Sequence, residues 1–341
     1  MMFGPRIRVF ARDASRLAGG SFRGFSLIEM LVAMGVLALI SILMLSVVSS
    51  AQNLVRQTNS KVEQFREARR GFERINQRLA QATLNAYWDY VDANGLPRTT
   101  ANAATFVPAR YERISELRYL QTNAAGLTAP GGGDLRGMAV FFQAPLGKVE
   151  SAALSGMNSL LNTTGFFIER GAGLEAPPPT VSWPSKDRYR LYEMIEPAEN
   201  LSIYSLTSGN ADYRGTEWFS YPLARRAYSH RLADNIVALL FEAVFTDASR
   251  QPRASRVYSS EPRTTPVQPV QANNLPPHVR VTMIAVDEAS AQRINNSGIV
   301  LTDATDDESL ARLEAELVEN RLGYHRFDST VAIGPAQWVT Q

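Results

Sequence analysis

The chain has 341 residues, 45% of them hydrophobic and 20% charged, and no cysteine. That length suffices for one large domain or two small ones with a proper core, and the lack of cysteine excludes disulfides and cysteine-metal sites. The net charge of +2 is uneven: Arg6, Arg8, Arg12, Arg16 and Arg23 against Asp13 give the first 24 residues +4, which leaves −2 for the rest. A basic excess confined to the extreme amino terminus argues against a nucleic-acid partner.

Residues 21–31 read Ser-Phe-Arg-Gly-Phe-Ser-Leu-Ile-Glu-Met-Leu, and from Phe25 to Val48 the chain is almost wholly apolar, interrupted by Glu29 and three serines. Those residues, as a helix rising about 1.5 Å each, span roughly 36 Å, enough for a bilayer core. The arginines precede this stretch and none follows until Arg56. The positive-inside rule therefore keeps the amino end cytoplasmic and places the bulk of the chain outside. Two ordinary readings stand beside a special one. A secretory signal would use Ser49-Ser50-Ala51 as its cleavage site and start the mature chain at Gln52. Its apolar core, however, usually runs 7–15 residues and carries no carboxylate. A plain membrane anchor explains the helix but not the Gly24-Phe25 junction.

The run Gly24-Phe25-Ser26-Leu27-Ile28-Glu29, with its basic leader and apolar helix, resembles the type IV pilin and type II secretion pseudopilin superfamily. The resemblance implies that a prepilin peptidase cuts between Gly24 and Phe25, that the amine of Phe25 is methylated, and that Glu29 becomes the fifth mature residue. Each part also has a physical reason. Glycine leaves the scissile backbone unobstructed. A carboxylate in an apolar span is costly and usually paired, and the cation that processing creates nearby is the amine of Phe25. A neighbouring subunit's amine meeting Glu29 would set axial register in a filament.

Beyond the apolar run no proline occurs before Pro97, and Val55, Val62, Phe65, Phe72, Ile75 and Leu79 recur on one helical stripe. Arg56, Lys61, Glu63, Arg66, Glu67, Arg69 and Arg70 lie mostly off it and read as a solvated face. Within the stripe, Gly71 offers close backbone packing. The helix is expected to end between Leu84 and Asp92, ahead of the stop signal Asn94-Gly95-Leu96-Pro97.

Residues 93–341 read as β-rich with long loops. Val279, Val281, Met283 and Ala285 share one side of an alternating run over His278–Val286, and Val237, Leu239, Phe241, Ala243 and Phe245 alternate likewise. Shorter strands are expected at Met138–Gln143, Gly165–Glu169, Tyr189–Ile195 and Leu201–Leu206, with Gly/Pro-rich breaks at 126–137, 171–185 and 249–277. Thr305-Asp306-Asp307-Glu308 has capping-box form ahead of Leu310, Leu313, Leu317 and Val318. A last strand is expected over Tyr324–Ile333.

The expected organisation is thus a cleaved leader (1–24), a transmembrane or filament-core helix (25–50), its amphipathic continuation (51–92) and a β-rich periplasmic domain (93–341). The fold class is α+β, a long amino-terminal helix packed on a β-rich pilin-like domain. Val55, Val62, Phe65, Phe72 and Leu79 are the expected helix-packing residues. A narrower resemblance rests on Leu239-Leu240-Phe241-Glu242-Ala243 and Asn274-Leu275-Pro276-Pro277-His278-Val279-Arg280-Val281-Thr282. These are similar to the closing hairpin of J-type minor pseudopilins. The length also suits the Verru_Chthon cassette protein C family. Insertions near 95–137, 150–185 and 247–275 depart from a compact J-type domain.

Chemical sites are sparse. His230, His278 and His325 show no metal-ligand spacing, and no nucleophile elbow, P-loop or dinucleotide fingerprint occurs. Asp303-x-Thr305-x-Asp307 with Glu314 has an EF-hand-like count, but Glu308 stands where that loop needs glycine. A capped helix start explains these acids as well. Tyr213, Trp218, Phe219, Tyr221 and Tyr228 suit a partner surface or ordinary core packing. No cofactor, metal or catalytic residue is expected. The resemblance implies a minor pilin-like subunit of a type II-like secretion pseudopilus, partnered by prepilin peptidase, other minor and major pseudopilins and the inner membrane. A minor pilin of a surface type IV pilus is the alternative, and a membrane-tethered enzyme would need a catalytic constellation absent from these motifs.

Overall fold

A computed structural model describes residues 26–99, 102–174, 187–204, 215–247, 249–261 and 270–336, without the side chains of 51 and 53–64. The chain divides into two units, Met1–Gln57 and Thr58–Gln341. An α-helix, α1 (Leu27–Leu79), contributes to both. In chain order there follow β1 (Tyr87–Val91), β2 (Arg110–Ile114), β3 (Tyr119–Asn123), β4 (Asp134–Pro145), β5 (Leu161–Gly171), β6 (Arg188–Ile195), α2 (Glu217–Ala224), β7 (Ser229–Asp234), β8 (Ile236–Thr246), β9 (Pro252–Ser255), β10 (Tyr258–Ser259), β11 (His278–Val286), α3 (Glu288–Ser297), α4 (Asp307–Glu319) and β12 (Tyr324–Ala332). The result is an apolar amino-terminal helix followed by a β-rich α+β region.

Within the second unit, one antiparallel sheet runs β10-β3-β4-β5-β6-β7 and another runs β12-β11-β8-β9. Alternation along the first sheet builds two separate apolar layers. Met138, Val140, Phe142, Phe166, Ile168 and Leu191 face a core shared with β8, β11, α3, α4 and the end of α1. Ala139, Phe141, Phe167, Tyr192 and Met194 face the other way, onto Ile203, Trp218, Phe219 and Leu223. Burial on both faces explains why these strands read as nearly continuous apolar runs. On β8 and β11 the alternation expected from the sequence appears as antiparallel pairs, with Phe241 opposite Val281 and Leu239 opposite Met283.

The carboxyl-terminal part of α1 buries Ala68, Phe72, Ile75 and Leu79 in the first core, with Phe65 packed at its margin. Phe72 meets Phe327 with ring centroids 5.6 Å apart, and Phe65 meets His325 at the same separation. A Cβ on Gly71 would stand 3.1 Å from Leu191 Cδ2, so the glycine lets the helix lie close to β6. Glu193 of β6, nearly inaccessible, accepts from Arg74 Nε at 3.2 Å and Arg78 Nε at 3.3 Å. These pairs fix the helix laterally and keep the buried carboxylate matched.

Several expectations need correction. The helix stops at Leu79, short of Leu84–Asp92. Its end tightens through Gln81 N–H to Arg78 O and Ala82 N–H to Leu79 O, and Thr83 N–H then donates to Gln143 O. Tyr87–Val91, within the expected continuation 51–92, is instead a strand paired with Arg110–Ile114. The Asn94-Gly95 turn therefore terminates a strand, with Asp92 Oδ1 accepting from Asn94 and Leu96 N–H. Aromatic and β-branched residues favour that strand. Leu201–Leu206 is no strand where it is described: Ser202–Tyr204 forms a 3₁₀ turn, held by Glu196 Oε1 accepting from Ser202 N–H and Oγ. The break at 249–277 contains β9 and β10, and the stretch at 95–137 contains β2, β3 and the start of β4. The cap of α4 is Asp306, boxed with Ser309, one residue beyond Thr305. Val318 is exposed, while Leu310, Leu313 and Leu317 are buried.

Gly165, in the middle of β5, lies under the ring of Phe141: an added Cβ would sit 2.3 Å from Phe141 Cδ1. Gly165→Ala should therefore force this fully buried ring to move and lower stability by about 1–3 kcal/mol, the usual range for overpacking. Thermal unfolding of the full chain in detergent measures it; an unchanged midpoint would show that the layer yields freely.

Candidate processing and assembly site

The site begins where the apolar segment begins. Gly24 and Phe25 lie outside the described residues. Ser26 caps the helix: its Oγ accepts from Glu29 N–H at 3.2 Å, and Glu29 Oε2 accepts from Ser26 N–H at 2.9 Å. This reciprocal box satisfies two donors that a helix start leaves unpaired. The Ser-x-x-Glu spacing is present in the sequence, where Glu29 is read as a motif carboxylate that pairs with a neighbour's amine and not as a cap. The cap accounts for a local role of Glu29, whose side chain is on an exposed part of the helix.

Leu27–Ser50 forms one helix of 24 residues with mean hydropathy 2.8, long and apolar enough to cross a membrane. Its serines fit that setting. Ser41, Ser49 and Ser50 donate their hydroxyls to the carbonyls of Leu37, Leu45 and Ser46, at 2.8, 2.7 and 2.9 Å. A hydroxyl bonded to its own helix exposes no unmet donor to hydrocarbon. Every residue from Ser26 to Ser50 is exposed.

Residues 20–48 match the family model for the prokaryotic N-terminal methylation motif. That match supports a type IV pilin-like chain. It spans the Gly24-Phe25 junction and the apolar helix, and it implies processing by a prepilin peptidase, N-terminal methylation and pilin-type assembly. The amino-terminal apolar helix agrees with the membrane anchoring typical of pilins. Comparison with curated proteins and with solved structures finds no match.

Of the expected helix-packing residues, Phe72 and Leu79 lie in the core and Phe65 at its edge, whereas the side chains of Val55 and Val62 fall outside the described residues. The acids considered for calcium are used otherwise. Asp303 Oδ1 accepts from Gly137 N–H at 2.6 Å and lies 3.4 Å from Arg136 Nε. Glu314 pairs with Arg326 at 3.1 Å, and Asp307 pairs with Arg256. Among the described residues no group of three or more His, Asp or Glu is placed to hold a metal ion. Trp218, Phe219 and Tyr228 are buried in the second apolar layer and Tyr221 is half-exposed; Tyr213 lies outside the described residues. Glu196 is a buried carboxyl that desolvation raises to about 6, against donors from Ser202 that favour the charged form.

Proposed function

We propose that the protein is a minor pilin-like structural subunit of a pseudopilus in a type II-like secretion system. The observation that carries this reading is the Gly24-Phe25 junction set directly before a lipid-length helix within the methylation-motif match. The leader (1–24) is removed, the apolar segment enters the membrane and then the filament core, and the folded domain stands on the periplasmic side. A minor pilin of a surface type IV pilus uses the same amino-terminal apparatus. Loss of the gene separates the two: secreted enzymes retained in the periplasm favour the first, and missing surface filaments with normal secretion favour the second.

Processing is directly measurable. Mass spectrometry of the chain extracted from membranes should find a mature amino terminus at Phe25 carrying a methylated amine. A start at Gln52, or an intact leader, would contradict the reading.

A further inference from the structure

A pocket of about 830 Å³ opens beside β7, between the β5–β6 connection and the turn after α2. Its lining includes Arg190, Arg226, Arg231 and His230, and among the described lining residues there is no carboxylate. Asp234 lies close by, 3.5 Å from Arg190 Nε and 3.2 Å from Arg231 Nη1. Arg190 also donates to Gly171 O at 2.6 Å and Arg226 to Gly173 O at 3.1 Å, so these two side chains are held by backbone and keep further N–H groups for a ligand.

Two features give the ligand its class. The cationic lining, with planar forks suited to bidentate pairing, calls for carboxylates. The volume falls in the range of pockets that enclose an organic ligand, about 300–1,000 Å³, and is more than an inorganic anion fills. The pocket also abuts the end of a sheet. β7 pairs with β6 on one side and with no strand on the other among the described residues. An unpaired strand edge is a template for an added extended segment.

We propose that this pocket and the outer edge of β7 form a docking site for an extended acidic segment of a partner protein. The segment's backbone adds to β7 and its carboxylates enter among Arg190, Arg226 and Arg231. The proposal is independent of which filament the chain serves.

The test is fluorescence anisotropy of a labelled hexaglutamate peptide with the full chain in detergent. Saturable binding is expected, with none for hexaglutamine. Arg226→Glu should weaken it at least tenfold, whereas Arg253→Glu, a reversal of an exposed charge on β9, should leave it within twofold. Both variants are checked by circular dichroism. Methylating alternate backbone amides of the peptide should also weaken binding at least tenfold. Equal loss in the two variants would reduce the effect to general attraction and overturn the proposal. So would undiminished binding of the methylated peptide, or displacement by inorganic phosphate at micromolar concentration.

Discussion

Charged substitution of Phe72 and Leu79 together is expected to unfold the second unit, whereas the same change at Val55 and Val62 should leave it folded and weaken association with partner subunits. Leu79 is wholly inaccessible and Phe72 nearly so, both in the core that joins the two large sheets. Truncating a buried Leu or Phe costs about 2–5 kcal/mol. An uncompensated buried carboxylate adds several kcal/mol more. Two such sites exceed a typical total stability of about 5–15 kcal/mol. Val55 and Val62 precede them on the stripe that the sequence spacing predicts. Under the proposed function that part of the helix serves neighbouring subunits. Circular dichroism of the full chain in detergent reads folding, and co-purification with other subunits of the system reads association. If Phe72→Asp with Leu79→Asp folds, the core assignment fails. If Val55→Asp with Val62→Asp assembles normally, the division of α1 into an assembly part and a core part fails.

Glu29→Gln is expected to leave cleavage and membrane insertion intact while reducing incorporation into filaments to background. The choice of glutamine follows from the geometry. Glu29 accepts from Ser26 N–H as half of a capping box, and glutamine preserves that bond while removing the charge. Glu29→Ala removes both. If the charge matters because it meets a neighbour's methylated amine in a water-poor filament core, Gln and Ala are equally defective in assembly. If the cap alone matters, Gln behaves as the unsubstituted chain and only Ala fails. Immunodetection of the subunit in sheared filaments, with the processed amino terminus checked by mass spectrometry, separates these outcomes. Normal incorporation of Glu29→Gln would refute the charge-pairing role.

The parts of this protein that the sequence determined by itself are those governed by local rules. Lipid demands an unbroken apolar helix of about 20 residues, and Leu27–Ser50 meets that demand with no help from the rest of the chain. The alternating segments that became β8 and β11, and the acidic start with leucine spacing that became α4, were legible for the same reason: a period of 2 or 3.6 is written in adjacent residues. Ser26-x-x-Glu29 was equally local, and its cap was there to be read.

What only the tertiary structure decided depends on residues far apart in the chain. The stripe on α1 could have run past Leu84; it ends at Leu79 because Thr83 is claimed by Gln143 and Tyr87–Val91 by Arg110–Ile114. Whether Trp218 and Phe219 would face a partner or a core was open until the second face of the six-stranded sheet supplied the cover. Arg74 and Arg78 of α1 neutralise Glu193, more than a hundred residues away. The basic pocket brings Arg190 of β6 to Arg226, His230 and Arg231, which one short stretch of sequence carries. Burial and pairing are properties of the packed chain, so no window of sequence contains them.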